Sequence, residues 1–260
     1  MGQGRVGRVE VGDGAGIAYE VTGEGPDLIL VHGITESRRM WDPLVPSLAR
    51  SRRVLAVDLR GHGESDRLGP YDLATMAADV AAVAAAEGAQ APDLVGHSLG
   101  GTVVTAYASA FPVRRVVNVD QPLALGEFQA QLLAVEPMLR GEAFGAVMDQ
   151  IFESLKGPLG PEERERVAAI EQPEQEVVLG VWDVLFNSTP EELETVVADT
   201  FGGIAAPYLS LHGIDPGPDY GDWLRGLIPG AEYEVWADQG HYPHLVSPDR
   251  FLDRVVGFLG

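Results

Sequence analysis

The 260-residue chain reads as an α/β protein: a mainly parallel sheet flanked by helices, with an inserted helical block. Three observations predict this. Short unbroken apolar runs recur along the chain, helix-like stretches alternate with them, and a glycine-flanked serine sits where one run passes into a helix. An apolar run of strand length suits a strand buried on both faces, which a sheet between two helical layers requires. Strand and helix in alternation imply parallel neighbours joined by crossovers.

Val9–Val11 and Ile17–Val21 flank a Gly-Asp-Gly turn and predict a hairpin. Buried strands are expected at Asp27–Val31, Val54–Val57, Asp93–Val95, Val116–Val119, Tyr208–Leu211 and Glu232–Val235. Helices are expected at Trp41–Arg50, Ala74–Glu87, Gly100–Ala110, Asp219–Leu227 and Asp249–Phe258. From Leu123 to Ala205 the rhythm breaks, and apolar residues recur at three- and four-residue spacing. Within that block Thr189 reads as an N-cap, with Pro190 at the first helical position and acids following. The expected division is a core of residues 1–122 and 206–260 with a helical cap at 123–205. Such a cap lies over the C-terminal edge of the strands, where open α/β sheets bind ligands.

Composition narrows the function. Thirty-nine acidic against 18 basic residues give a net charge of −21, which repels nucleic-acid phosphates and anionic membranes. The expected partner is a small-molecule substrate. The absence of cysteine excludes disulfides and thiolate chemistry, and His32, His62, His97 and His212, scattered singly, form no metal-binding spacing. A hydrophobic content of 45% and mean hydropathy of +0.02 fit a globular chain. The opening "MGQGRVGRVEVGDG" has no apolar run of signal-peptide length, and no stretch approaches the roughly 18 apolar residues of a membrane span, so a cytoplasmic location is expected.

The chemistry centres on Gly96-His97-Ser98-Leu99-Gly100, a G-x-S-x-G pattern between an expected strand and an expected helix. Ten serines among 32 glycines in 260 residues make roughly 0.15 chance matches, so placement carries the weight. Glycines on either side relieve the clash at a sharp strand-to-helix crossing, and Gly101 eases the packing of helix on sheet. The bend lifts the serine hydroxyl above the sheet at the positive end of the next helix. A serine needs a base, and His241, in "ADQGHYPHL" after the last expected strand, is favoured over His244. The histidine needs an acid, and two aspartates, Asp215 and Asp120, end strands on the same sheet edge. The oxyanion donors expected are the backbone N–H groups of Leu99 and of Ile34 in "HGITES", where Gly33 permits close approach.

These features together resemble the α/β-hydrolase fold superfamily. The resemblance rests on "LILVHGITES" with Trp41, "VLAVDLRGHGESD", "LVGHSLGG", "LSLHGIDP" and "GHYPHLVSPDRF", and spans nearly the whole chain. It implies a Ser–acid–His triad, an oxyanion hole at Ile34 and Leu99, a helical cap and no cofactor. Family members usually carry the acid as G-x-x-D after the penultimate strand; here Gly213-Ile214-Asp215 is one residue short. Some relatives, such as zearalenone-type lactonases, place it where Asp120 stands. Asp215 is carried as the acid and Asp120 as its rival. Gly33, Trp41, His97 and Trp182 are the candidates for the substrate pocket, and Phe128, Met138, Phe144, Met148, Phe152 and Phe186 supply further apolar side chains from the cap. The expected activity is hydrolysis of a small, fairly apolar ester or lactone. Hydrolysis of a carbon–carbon bond by the same triad, or ligand sensing by a receptor of this fold, are the alternatives.

Overall fold

The computed structural model describes residues 4–260; the first three residues of the opening segment read above for a leader lie outside them. Eight strands form one sheet: β1 (Arg5–Glu10), β2 (Gly16–Thr22), β3 (Asp27–Val31), β4 (Arg53–Val57), β5 (Asp93–His97), β6 (Arg115–Val119), β7 (Tyr208–His212) and β8 (Glu232–Val235). Their order is β1-β2-β4-β3-β5-β6-β7-β8. The hairpin β1–β2 is antiparallel and β2 runs antiparallel to β4, while every other pair is parallel.

The period of two along each central strand builds two cores at once. Ile29 and Val31 of β3 and Leu55 and Val57 of β4 enter one core; Leu28, Leu30, Val54 and Ala56 enter the other. That alternation explains the unbroken apolar runs, since both faces are covered. The first core is closed by α2 (Leu73–Ala86) and α3 (Leu99–Ala110), which contribute Met76, Val80, Val103 and Tyr107. The second is closed by α1 (Val45–Leu48) and, near the C-terminus, by a helix over Pro248–Leu259 that buries Phe251, Val255 and Leu259.

Between β6 and β7 the chain forms six helices: α4 (Gly126–Leu139), α5 (Phe144–Leu155), α6 (Pro161–Ile170), α7 (Gln175–Val181), α8 (Asp183–Asn187) and α9 (Pro190–Phe201). Thr189 opens α9 with a capping box: its hydroxyl accepts the Glu192 N–H, and Glu192 accepts the Thr189 N–H. The remaining helices, α10 (Tyr220–Leu227), α11 (Pro243–Val246) and α12 (Pro248–Leu259), follow β7 and β8. No helix among the described residues is long and apolar enough to cross a membrane.

One expected helix is not continuous. The stretch Trp41–Arg50 becomes a 3₁₀ turn at Arg38–Trp41 followed by the single turn of α1. Pro43 and Pro46 each remove a backbone donor, so no long ladder can form across them.

Four of the five buried histidines sit where burial disfavours their cations. Burial pushes His62 down to about 3 and His212 down to about 4, and lowers His32 and His244 as well. The unfolded chain takes up these protons near pH 6.5, but the folded chain refuses them until far lower pH. The unfolding free energy is therefore expected to fall as pH drops from about 6.5 toward 4, each group contributing at most about 1.4 kcal/mol per pH unit. Urea titrations across that window test this. His62→Gln should flatten the slope, and an unchanged slope would contradict the account.

Candidate active site

Ser98 stands between the end of β5 and the start of α3 with φ 52° and ψ −125°. An L-residue pays strain for that left-handed φ, and the surroundings hold it there. The Ser98 N–H donates to the Val119 carbonyl at 3.0 Å, and the Gly101 N–H donates back to the Ser98 carbonyl at 2.7 Å. A Cβ at Gly96 would overlap the Gly100 carbonyl, one at Gly100 would overlap the Val31 carbonyl, and one at Gly101 would meet the Asn118 amide. The glycines around Ser98 thus answer to close backbone approach, as a nucleophile elbow demands.

His241 lies in the loop between β8 and α11, and its Nδ1 donates to Asp120 Oδ2 at 2.7 Å. Asp120 ends β6 at φ 53° and is 3% exposed. Its other oxygen accepts the backbone N–H groups of Gly213 at 2.6 Å and Ile214 at 3.0 Å. Burial alone raises the Asp120 carboxyl, but the hydrogen bond and charge of His241 outweigh it, with the Ile214 amide adding to them, and hold it below the ordinary carboxylate range. A carboxylate on Nδ1 fixes the tautomer and leaves Nε2 as the basic nitrogen.

Asp120, not Asp215, therefore holds His241. Asp215 is exposed and accepts the Gly217 N–H at 2.9 Å within its own turn. The short, proline-rich turn after β7 keeps its carboxyl local, whereas Asp120, one strand nearer the elbow, meets the ring directly. Ser98, His241, Ile34, Leu99 and Asp120 all line one cavity of about 920 Å³. The Leu99 N–H heads the first turn of α3, where no intrahelical acceptor exists, and Ile34 follows Gly33 on the facing loop. A serine oxygen, an oriented imidazole and two such amides can support attack on a carbonyl carbon.

A family profile described as the alpha/beta hydrolase family matches residues 28–254. The chain belongs to the alpha/beta hydrolase family. Among its relatives, a pimeloyl-[acyl-carrier protein] methyl ester esterase of Aliivibrio salmonicida is 36% identical, covering 93% of this chain and 95% of that protein. A solved thermophilic esterase from Thermogutta terrifontis superposes with a TM-score of 0.77 at 25% identity, covering 98% of both chains. The enol-lactonase from Burkholderia xenovorans shares the fold, with a TM-score of 0.72 at 24% identity over 97% of this chain and 99% of that one.

In this alpha/beta hydrolase the cavity walls are mostly apolar. Trp182 lines it, with its ring edge-on to Phe128 at 5.9 Å, and Phe152 joins them. Met148 is wholly buried among the helices and Met138 is exposed, while Phe144 and Phe186 pack against the core. Gly33, Trp41 and His97, expected in the pocket, lie behind its wall instead. Gly33 is pressed between Glu36 and the Ser98 side chain. Trp41 is the last residue of the 3₁₀ turn and enters the second core, where its ring meets that of His244 at 5.0 Å. His97 alternates with Ser98 to the far side of the strand end and is wholly buried.

Glu36 escapes any sequence signal, because it is one of 39 acids and its partner His97 is 61 residues away. It is 3% exposed and accepts the Gly33 N–H at 2.8 Å. Gly100→Ala drives a methyl into the backbone of β3, so a loss of at least about 2 kcal/mol is expected. Thermal melts check this; a variant melting with the native protein would show that the elbow tolerates the shift.

Proposed function

We propose that this hydrolase cleaves carboxylic esters or lactones with neutral, apolar acyl groups, through an acyl-enzyme on Ser98. The observation that carries the reading is a left-handed serine sharing a cavity with an imidazole whose Nδ1 is held by a buried carboxylate. The Ser98 oxygen attacks the carbonyl carbon while His241 Nε2 takes its proton. The negative oxygen that forms is met by the Leu99 and Ile34 amides. Collapse breaks the bond to the leaving oxygen, which receives the proton from His241, and the ester now joins acyl group to Ser98. Water then gives its proton to Nε2, attacks the same carbon and releases the acid, restoring the serine.

The esterase names among relatives support the reaction class. Charge on the walls supports the preference for neutral acyl groups. The acidic residues there are Glu127, Glu194 and Asp215 at exposed positions, together with Asp120, and His241 joins them; neither lysine nor arginine does. A carboxylate in the substrate would meet like charge, and the product acid is repelled once formed.

p-Nitrophenyl esters test the proposal. Ser98→Ala and His241→Ala should each reduce kcat to near background while the fold survives. Asp120→Asn should cost on the order of 10³- to 10⁴-fold and Asp215→Asn less than about threefold, by analogy with loss of the triad acid in a protease. A neutral acyl chain should exceed its ω-carboxy counterpart of equal length by about tenfold or more in kcat/KM. Near-normal turnover by Ser98→Ala, or preference for the anionic ester, would contradict the proposal.

A further inference from the structure

Behind the cavity wall runs a polar contact that the reaction above does not use. His97 is fully buried at the end of β5, one residue before Ser98. Its Nε2 lies 2.8 Å from the backbone carbonyl of His241, and its Nδ1 lies 3.4 Å from Glu36 Oε2. Both neighbours are acceptors, and a neutral imidazole has only one N–H to offer. The same Glu36 oxygen accepts the Gly33 N–H at 2.8 Å. One buried pair therefore touches the loop that carries the Ile34 amide and the loop that carries His241.

We propose that Glu36 and His97 form a buried ionic bridge that positions the oxyanion loop and the His241 loop relative to Ser98. The proposal rests on the reading of Ser98 as nucleophile. Glu36 and His97 touch no substrate; they are positioning residues.

Three further observations fit this assignment. A charged imidazole needs an N–H on each nitrogen, and the two acceptors stand where those protons point. Glu36 lies below its ordinary value and His97 above, because the charge of each outweighs the burial that opposes it. The other groups around the His97 ring do not compete for its protons. The rings of His241, Tyr242 and His244 pack at 4.7, 5.0 and 4.6 Å. His244 stays neutral because burial and the charges of His97, His241 and Arg166 all lower it. His32 is lowered by burial, and its ring is already engaged by the Gly33 carbonyl and the Leu59 N–H. Asp120 is spent on His241, Gly213 and Ile214.

The bridge closes a circuit. Gly33 has no room for a side chain between Glu36 and Ser98, so the loop position is set by the carboxylate behind it. The His241 ring is held from the front by Asp120 and its backbone from behind by His97. Loss of either bridging group frees both loops, and misplacement by about 1 Å costs up to about 100-fold in rate.

The test compares Glu36→Gln, His97→Asn and the double variant on a neutral p-nitrophenyl ester, with nitrogen NMR of histidine-labelled Ser98→Ala protein. Each single change should lower kcat about 10- to 100-fold with KM within about threefold, and the double variant should fall no further than the worse single. In Ser98→Ala His97 should keep both ring nitrogens protonated to higher pH than a free imidazole does, and Glu36→Gln in that background should bring deprotonation at lower pH. Losses that multiply, a fall in melting temperature with kcat unchanged, or a His97 ring that loses its second proton no later than a free imidazole would each overturn the bridge. The NMR reading needs no turnover. A native protein that hydrolyses no ester would overturn the proposed reaction, while the His97 protonation state would still decide the bridge.

Discussion

A carboxylate taken out of water costs several kcal/mol unless its oxygens find donors and an opposite charge. Asp120 meets that demand by drawing three donors from two segments to itself. The amides of Gly213 and Ile214 fix the turn after β7, and the His241 ring fixes the loop after β8. Its own left-handed backbone at the end of β6 aims the carboxyl along the sheet edge. The cost of burying this one acid is thus what obliges two distant loops to converge beside Ser98.

The sheet supplies the rigidity this convergence needs. β3, β5, β6 and β7 are neighbours in register, so the residues leaving their C-terminal ends emerge side by side. Ile34, Ser98, Asp120 and the Asp215 turn all follow such ends. The helices between β6 and β7 add the apolar walls, so water is thinned where charge develops in the proposed reaction. The acidic overall charge and the acidic cavity rim act in one direction, against anionic ligands.

Much of this was legible in the sequence, for identifiable reasons. The apolar runs mark strands covered on both faces, and five of the six match buried strands; Glu232–Val235 is a strand too, but it lies at the sheet edge and is exposed to half-buried. Ser98 is marked by close backbone approach, which only glycine permits. His241 is marked by its place after the last strand. The choice of acid was not legible: Asp120 and Asp215 both end strands, and only the lateral distance between strands separates them. His97 misled because its neighbour Ser98 faces the cavity while alternation turns it away, Trp41 because the 3₁₀ turn carries it into the second core, and Gly33 because it is wedged beside Glu36 behind the wall. Two prolines broke a helix that apolar periodicity alone suggested. Glu36 left no trace, since a buried ion pair depends on contacts 61 residues apart in the chain.

The central claim is that the Ser98 hydroxyl is activated by an imidazole whose ring Asp120, and not Asp215, orients. Covalent trapping with an alkyl phosphonate, followed by peptide mass mapping, reads it most directly. The account predicts one adduct per chain, located on Ser98, whose rate of formation collapses in Asp120→Asn and persists in Asp215→Asn. An adduct on another residue, or trapping that depends on Asp215 and not on Asp120, would contradict it.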